Sequence, residues 1–131
     1  MTTTLTIEEL EQAGERDLGT SSWHDITQEQ VNIFADATGD HQWIHVDPER
    51  AAEGPFGGTV AHGYLTLAML PMLLAEVVSV SDAVMGVNYG TEKVRFTNPV
   101  PVGSRVRAHA KLLKTQRRGP LRLAHEGGDD R

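Results

Sequence analysis

From Lys93 to Phe96, and again from Ser104 to Leu112, apolar and polar residues alternate along the chain. In KVRF, Val94 and Phe96 alternate with Lys93 and Arg95. In SRVRAHAKL, Val106, Ala108, Ala110 and Leu112 alternate with Arg105, Arg107, His109 and Lys111. Period two places alternate side chains on opposite faces of an extended chain, so both stretches predict strands with one buried face. The turn-rich TNPVPVGS joins them. Segment 64–80, YLTLAMLPMLLAEVVSV, has no polar stripe, which predicts a helix from Tyr64 to about Val78 that is surrounded rather than half exposed. Pro71 removes one backbone donor inside it and predicts a bend.

Local signals place the remaining elements. Leu10 and Ala13, with glutamates early in the segment, predict a short helix over 6–15. Trp23 and Ile26 among turn residues predict a strand near 21–26. TQEQ from Thr27 reads as a capping box, in which the Thr27 hydroxyl and the Gln30 side chain satisfy free backbone groups. The helix it opens runs to about Ala37, with Val31, Phe34 and Ala35 on one face, and ends at Gly39 in a left-handed conformation. Pro48 predicts a short helical turn over 48–52, capped by Asp47. No repeat or low-complexity tract interrupts the chain.

The length of 131 residues suits one domain with a real core. The absence of cysteine excludes disulfides, thiolate nucleophiles and cysteine-held metal. The first residues have neither the basic start nor the apolar run of a secretory signal, so a cytoplasmic protein is expected. Segment 64–80 is shorter than the ~20 residues a membrane span needs and carries Pro71 and Glu76, so no span is expected. Charge changes this picture in one place. Residues 1–53 hold twelve Asp and Glu against Arg16 and Arg50, whereas 93–118 hold eight Lys and Arg and no acid. Such a segment suits either a small polyanion or a solvated strand face. Without interleaved aromatics it does not suggest nucleic acid.

Candidate chemistry concentrates in DATGDHQWIHVDPERAA, 36–52, where Asp40, His41, His45 and Asp47 fall within eight residues. A packed core does not tolerate that density of titratable groups; a reactive loop uses it. GPFGGTVAHG follows, and its glycines, at 54, 57, 58 and 63, imply a backbone that approaches something closely. The cluster lacks a helical H-E-x-x-H arrangement, and the glycines match neither a P-loop nor a dinucleotide fingerprint, so no metal and no cofactor are expected.

TGDHQWIHVDPERAA followed by GGTVAHGYL resembles the MaoC-like family of (R)-specific enoyl-CoA hydratases, over about residues 20–115. The family motif runs roughly G-D-x-N-P-(I/L)-H-x-D-x-x-x-A, then H-G near the start of a helix. Gln42-Trp43 stands where the family usually has Asn-Pro. The resemblance implies an α+β hot-dog fold, an antiparallel sheet wrapped around one buried helix. It also implies a homodimer and an acyl-CoA thioester substrate. It makes Asp40 and His45 the acid/base pair.

Hydration of a 2-enoyl thioester needs a base for water, an acid for Cα and donors for charge growing on the thioester oxygen. Asp40 and His45 share one water in this reading, and the Gly63 N–H, at the entry to the helix, is the oxyanion donor. Read alone, Asp40 after Gly39 is a turn or cap residue; with His45 and the His62-Gly63 pair, the catalytic reading prevails. His62 and Gly39 are read as structural support, Asp47 as a cap and His41 as rim. Arg105, Arg107 and Lys111 are the candidates for coenzyme A phosphates. A hot-dog acyl-CoA thioesterase and a non-catalytic acyl-thioester-binding subunit are the competing functions. In the family two further long strands close the sheet after the position of Lys114. Here residues 116–131 promise only a brief alternation at 121–123, so an open sheet with an unpaired edge is expected.

Overall fold

The computed structural model describes residues 2–118 and 121–129, with side chains over 2–116. In chain order the elements are β1 (Thr3–Leu5), α1 (Ile7–Gln12), β2 (Arg16–Thr20), β3 (His24–Asp25), α2 (Gln28–Thr38), α3 (Trp43–Val46), α4 (Pro48–Ala52), α5 (Gly63–Ala68), α6 (Leu70–Val77), β4 (Val78–Val80), β5 (Arg105–Val106), β6 (His109–Arg118) and β7 (Leu121–Asp129). They fall into two compact units. The first comprises Met1–Ser22, Leu70–Thr91 and Arg107–Arg131; the second comprises Trp23–Met69 and Glu92–Val106.

In the first unit, β2, β6 and β7 form an antiparallel sheet with β6 in the middle, and β1 pairs in parallel with β4. The alternation along β6 is realised as expected. Ala110 and Leu112 are buried with Leu5, Leu10, Leu18 and Val77 in one apolar cluster. A capping box starts α1: the Thr6 hydroxyl accepts the Glu9 N–H at 3.1 Å and the Glu9 carboxylate accepts the Thr6 N–H at 3.0 Å. At α2, where the box was expected, only half of it exists. Thr27 accepts the Gln30 N–H at 3.1 Å, while the Gln30 amide turns inward toward Met69.

The second unit is helical with a small amount of ladder. The two residues of β3 pair with β5, and Val60 makes an antiparallel bridge with Pro101. Ile26, Val31, Ala35 and Val106 are fully buried, so the apolar face read from Val31 and Ala35 is the core face of α2. α4 occupies the expected residues, with the Asp47 carboxylate accepting the Arg50 N–H at 3.2 Å.

Four expectations are corrected. The apolar segment 64–78 is two helices, α5 and α6, separated at Met69. Pro71 cannot donate to the carbonyl four residues back, so one helical bond is missing next to that interruption. The segment is not surrounded either, since Tyr64, Pro71, Met72 and Ala75 are exposed. KVRF forms no strand among the described residues; alternation assigns faces, but a strand also needs a partner for its backbone, and Phe96 stays 46% exposed. Of the strand expected near 21–26 only His24–Asp25 forms, as β3, and a strand that was not expected, β2, precedes it. Between them the Ser21 hydroxyl accepts the Ala108 N–H at 2.9 Å in place of a ladder bond. Finally, the tail contributes more than a brief alternation, because β7 pairs with β6 along its length from Arg118↔Leu121 to His109↔Asp129. Backbone pairing does not require apolar periodicity, which is why a polar sequence concealed it. The described residues form mixed helices and three separate sheets with no closed barrel. No helix among them is long and apolar enough to cross a membrane.

Candidate active site

Helix α2 ends as its sequence dictates. Gly39 adopts φ 82°, its N–H bonding to the Ala35 carbonyl at 2.8 Å, and this left-handed residue delivers Asp40 to the loop. Asp40 is open to solvent, its side chain 51% exposed. Two turns of short helix follow, and α3 carries His45 inward until it is 8% exposed. His45 Nδ1 lies 2.7 Å from the Val60 carbonyl. A carbonyl only accepts, so Nδ1 carries the hydrogen, and neutral His45 keeps its lone pair on Nε2. The Val60 segment is itself pinned. Val60 N–H donates to the Ile44 carbonyl at 3.0 Å, Ala61 N–H to Val100 at 2.8 Å and Val102 N–H to Thr59 at 3.0 Å.

His62 completes the cluster. It is 2% exposed, and its Nε2–H donates to the Asp40 main-chain carbonyl at 2.9 Å, with the Asp40 carboxylate 4.0 Å away. Its ring stacks on His45, centroids 3.9 Å apart at 23°, and meets Phe34 at 5.0 Å. Its Nδ1 is buried with no partner among the described residues. One ligand-type atom from each of Asp40, His45 and His62 lies within 4.8 Å of the others. The local cluster weighed for a metal from sequence was Asp40, His41, His45 and Asp47; the structure groups His62 with Asp40 and His45 instead. With its Nε2–H given to the Asp40 carbonyl, neutral His62 carries its lone pair on the buried Nδ1.

His62 also precedes α5, whose first residue is Gly63. The Gly63 N–H makes no hydrogen bond among the described residues, as expected at the first turn of a helix. The Phe96 ring rests on Gly63: a methyl group there would meet ring carbons at 2.8 Å. Gly54 likewise approaches the Trp43 ring, which lies 4.4 Å under the Arg50 guanidinium. Of the close approaches implied by the glycine-rich stretch, those at Gly54 and Gly63 exist and are to aromatic side chains, whereas Gly57 and Gly58 face open space. His41 pairs with Asp36 at 2.9 Å on the surface, away from His45.

The candidate phosphate cations have different surroundings within their own units. Lys111 is engaged by Glu15 at 2.9 Å, which holds the lysine above and the carboxylate below their ordinary ranges. On the same strand His109 hydrogen-bonds Asp17 at 2.8 Å, and that bond, with the Gly19 N–H, keeps Asp17 low. Lys111 is thus answered by Glu15, just before β2, and His109 by Asp17 within it, partners that sequence distance hid. Arg105 belongs to the other unit, where it lies 5.4 Å over the Trp23 ring.

An imidazole held at Nδ1 by a carbonyl, an exposed carboxylate beside it and a helix N–H without a partner among the described residues form a candidate acid/base site. Comparison with known proteins gives that site a family. The family model described as the MaoC like domain matches residues 9–122. The 3-hydroxyacyl-thioester dehydratase Z of Mycobacterium tuberculosis is 63% identical over 101 residues, 77% of this chain and 66% of that protein. Nodulation protein N of Rhizobium leguminosarum bv. viciae is 50% identical over 110 residues, 82% of this chain and 68% of that protein. A MaoC-like dehydratase from Rhodospirillum rubrum shares the fold with a TM-score of 0.72 at 24% identity, covering 96% of this chain and 84% of that one. The chain belongs to the MaoC-like dehydratase family. It spans about two thirds of the length of the curated relatives it matches.

The residues missed from sequence are Gln28, Thr59 and the Val60 carbonyl. Gln28 Nε2 donates to the His45 carbonyl at 2.7 Å and its Oε1 accepts the Thr59 hydroxyl at 2.6 Å. A main-chain carbonyl carries no sequence signal. A glutamine in a helix's first turn reads as an ordinary solvated residue.

Proposed function

We propose that this chain is the catalytic part of an (R)-specific enoyl-CoA hydratase, adding water to a trans-2-enoyl thioester and, in reverse, dehydrating the (R)-3-hydroxyacyl thioester. One observation carries the reading: Asp40, His45 and His62 each bring a ligand-type atom within 4.8 Å of the others, with Asp40 open to solvent and Gly63 next in the chain after His62. The relatives named as dehydratases support it.

In this mechanism Asp40 and His45 hold the attacking water between them. The pair takes one proton from the water as its oxygen bonds to Cβ, and electron density moves onto the thioester oxygen. The Gly63 N–H stabilises that charge. A proton from the pair then goes to Cα, so the elements of one water are added and the site is regenerated. Asp40 and His45 exchange protons as a coupled unit. Gly39 and His62 support the loop. Of the proposed coenzyme A contacts, Arg105 shares the second unit with Asp40 and His45; Arg107 and the Glu15-bound Lys111 belong to the first. The reading calls for no cofactor, and it extends to a homodimer in the cytoplasm, to be checked by light scattering and cell fractionation.

Incubation with crotonyl-CoA tests the function directly. Hydration removes the conjugated-enoyl absorbance without releasing thiol. Thiol release would replace the reading with a thioesterase, and binding without either change would make the chain an acyl-thioester-binding subunit.

A further inference from the structure

We infer that Gln28 is a positioning residue that fixes His45 from two directions at once. Its half-buried side chain has three partners. Nε2 donates to the His45 carbonyl at 2.7 Å and to Asn32 Oδ1 at 2.9 Å, and Oε1 accepts the Thr59 hydroxyl at 2.6 Å. The amide orientation follows from chemistry: a carbonyl and a carboxamide oxygen face the NH₂, and a hydroxyl faces the oxygen.

The consequence lies in what those partners hold. Helix α3 has four residues, and its N-cap Gln42 makes no side-chain cap bond. So short a helix does not hold its own direction. The aim of His45 is therefore set by outside bonds. Gln28 grips the His45 main chain directly. Through Thr59 it also grips the segment whose next carbonyl, Val60, takes the His45 Nδ1–H at 2.7 Å. One side chain thus fixes both the backbone under the imidazole and the acceptor that selects its tautomer, the arrangement by which outer groups orient a reactive imidazole. Gln28 acts through His45 and touches no reacting atom in this reading.

Two measurements test this, one independent of catalysis. In protein labelled with ¹⁵N-histidine, the His45 Nδ1–H resonance, assigned by its loss in His45→Gln, is expected to be slow to exchange with water. In Gln28→Ala it should broaden or exchange at least ~10-fold faster, because local opening governs exchange. Thr59→Val should act in the same direction more weakly, and it serves in place of Gln28→Ala if that variant does not fold. The second measurement rests on the hydratase reading: Gln28→Ala should lower kcat by ~10-fold or more with KM changed less than about twofold, the pattern of a misaligned group rather than a lost binding contact. Gln28→Glu keeps the acceptor for Thr59 but faces the His45 carbonyl with oxygen, so it should not rescue. An unchanged Nδ1–H signal in folded Gln28→Ala or Thr59→Val overturns the proposal, even if kcat falls. A wild-type chain without hydratase activity overturns the functional reading alone, and the exchange measurement still decides the role of Gln28.

Discussion

Gly63→Ala separates two reasons for a glycine at the start of α5. Alanine keeps the backbone N–H, so the substitution does not delete the proposed oxyanion donor. It adds a methyl group that would lie 2.8 Å from Cγ and Cδ2 of Phe96 and 3.0 Å from Cδ1. Comfortable carbon contacts lie near ~3.5–4.0 Å, so the ring or the first turn must retreat by roughly 1 Å. Overpacking costs ~1–3 kcal/mol in a closed core; Phe96 is 46% exposed and has room to move, which places the cost at about 1–1.5 kcal/mol. For a chain of this size that lowers Tm by about 3–5 °C. If the turn rather than the ring moves, the N–H moves with it, and kcat falls by ~10²-fold. Calorimetry and crotonyl-CoA kinetics on Gly63→Ala, Phe96→Ala and the double variant decide the matter. Removing the ring should return the double variant to the Tm and kcat of Phe96→Ala alone. A single variant unchanged in both quantities, or a double variant as impaired as Gly63→Ala, refutes the steric account.

Other variants probe the rest of the molecule. Asp40→Asn and His45→Ala should each lower hydratase turnover by ~10²-fold or more with the fold intact, and near-normal turnover in either would remove that residue from the mechanism. Leu112→Ala empties a fully buried site in the first unit and should cost ~2–5 kcal/mol by denaturant titration; a loss below about 1 kcal/mol would mean the cluster collapses around the gap. Glu15 and Asp17 have folded pKa values lowered from 4.5 and 3.8, so their pairs contribute stability above those values and lose it as pH falls through the folded ones. Lys111 is raised above 10.5, so its share is lost as pH rises through the higher value. Both ends of the Tm against pH curve should flatten in Glu15→Gln/Asp17→Asn, by a small amount because these groups are solvent-exposed; curves parallel to wild type would show that the pairs contribute nothing.

What the sequence determined was local or periodic. Gly39, with nothing but its own backbone freedom, ends α2 where expected, and Asp47-Pro48 starts α4 because cap and proline act within one turn. Val106, Ala108, Ala110 and Leu112 are buried because alternation commits one face of the chain whatever its partner. The cluster of Asp40 and His45 was legible because its members lie five residues apart. Tertiary structure decided what depends on a distant partner. Only folding could bring His62 onto His45, set the Val60 carbonyl against Nδ1 and place Gln28 across both. It also set Glu15 against Lys111 and Asp17 against His109 and left KVRF without a ladder. A hydrogen bond or ion pair needs two groups within about 3 Å, and residue type at one end of the chain says nothing about which group arrives from the other.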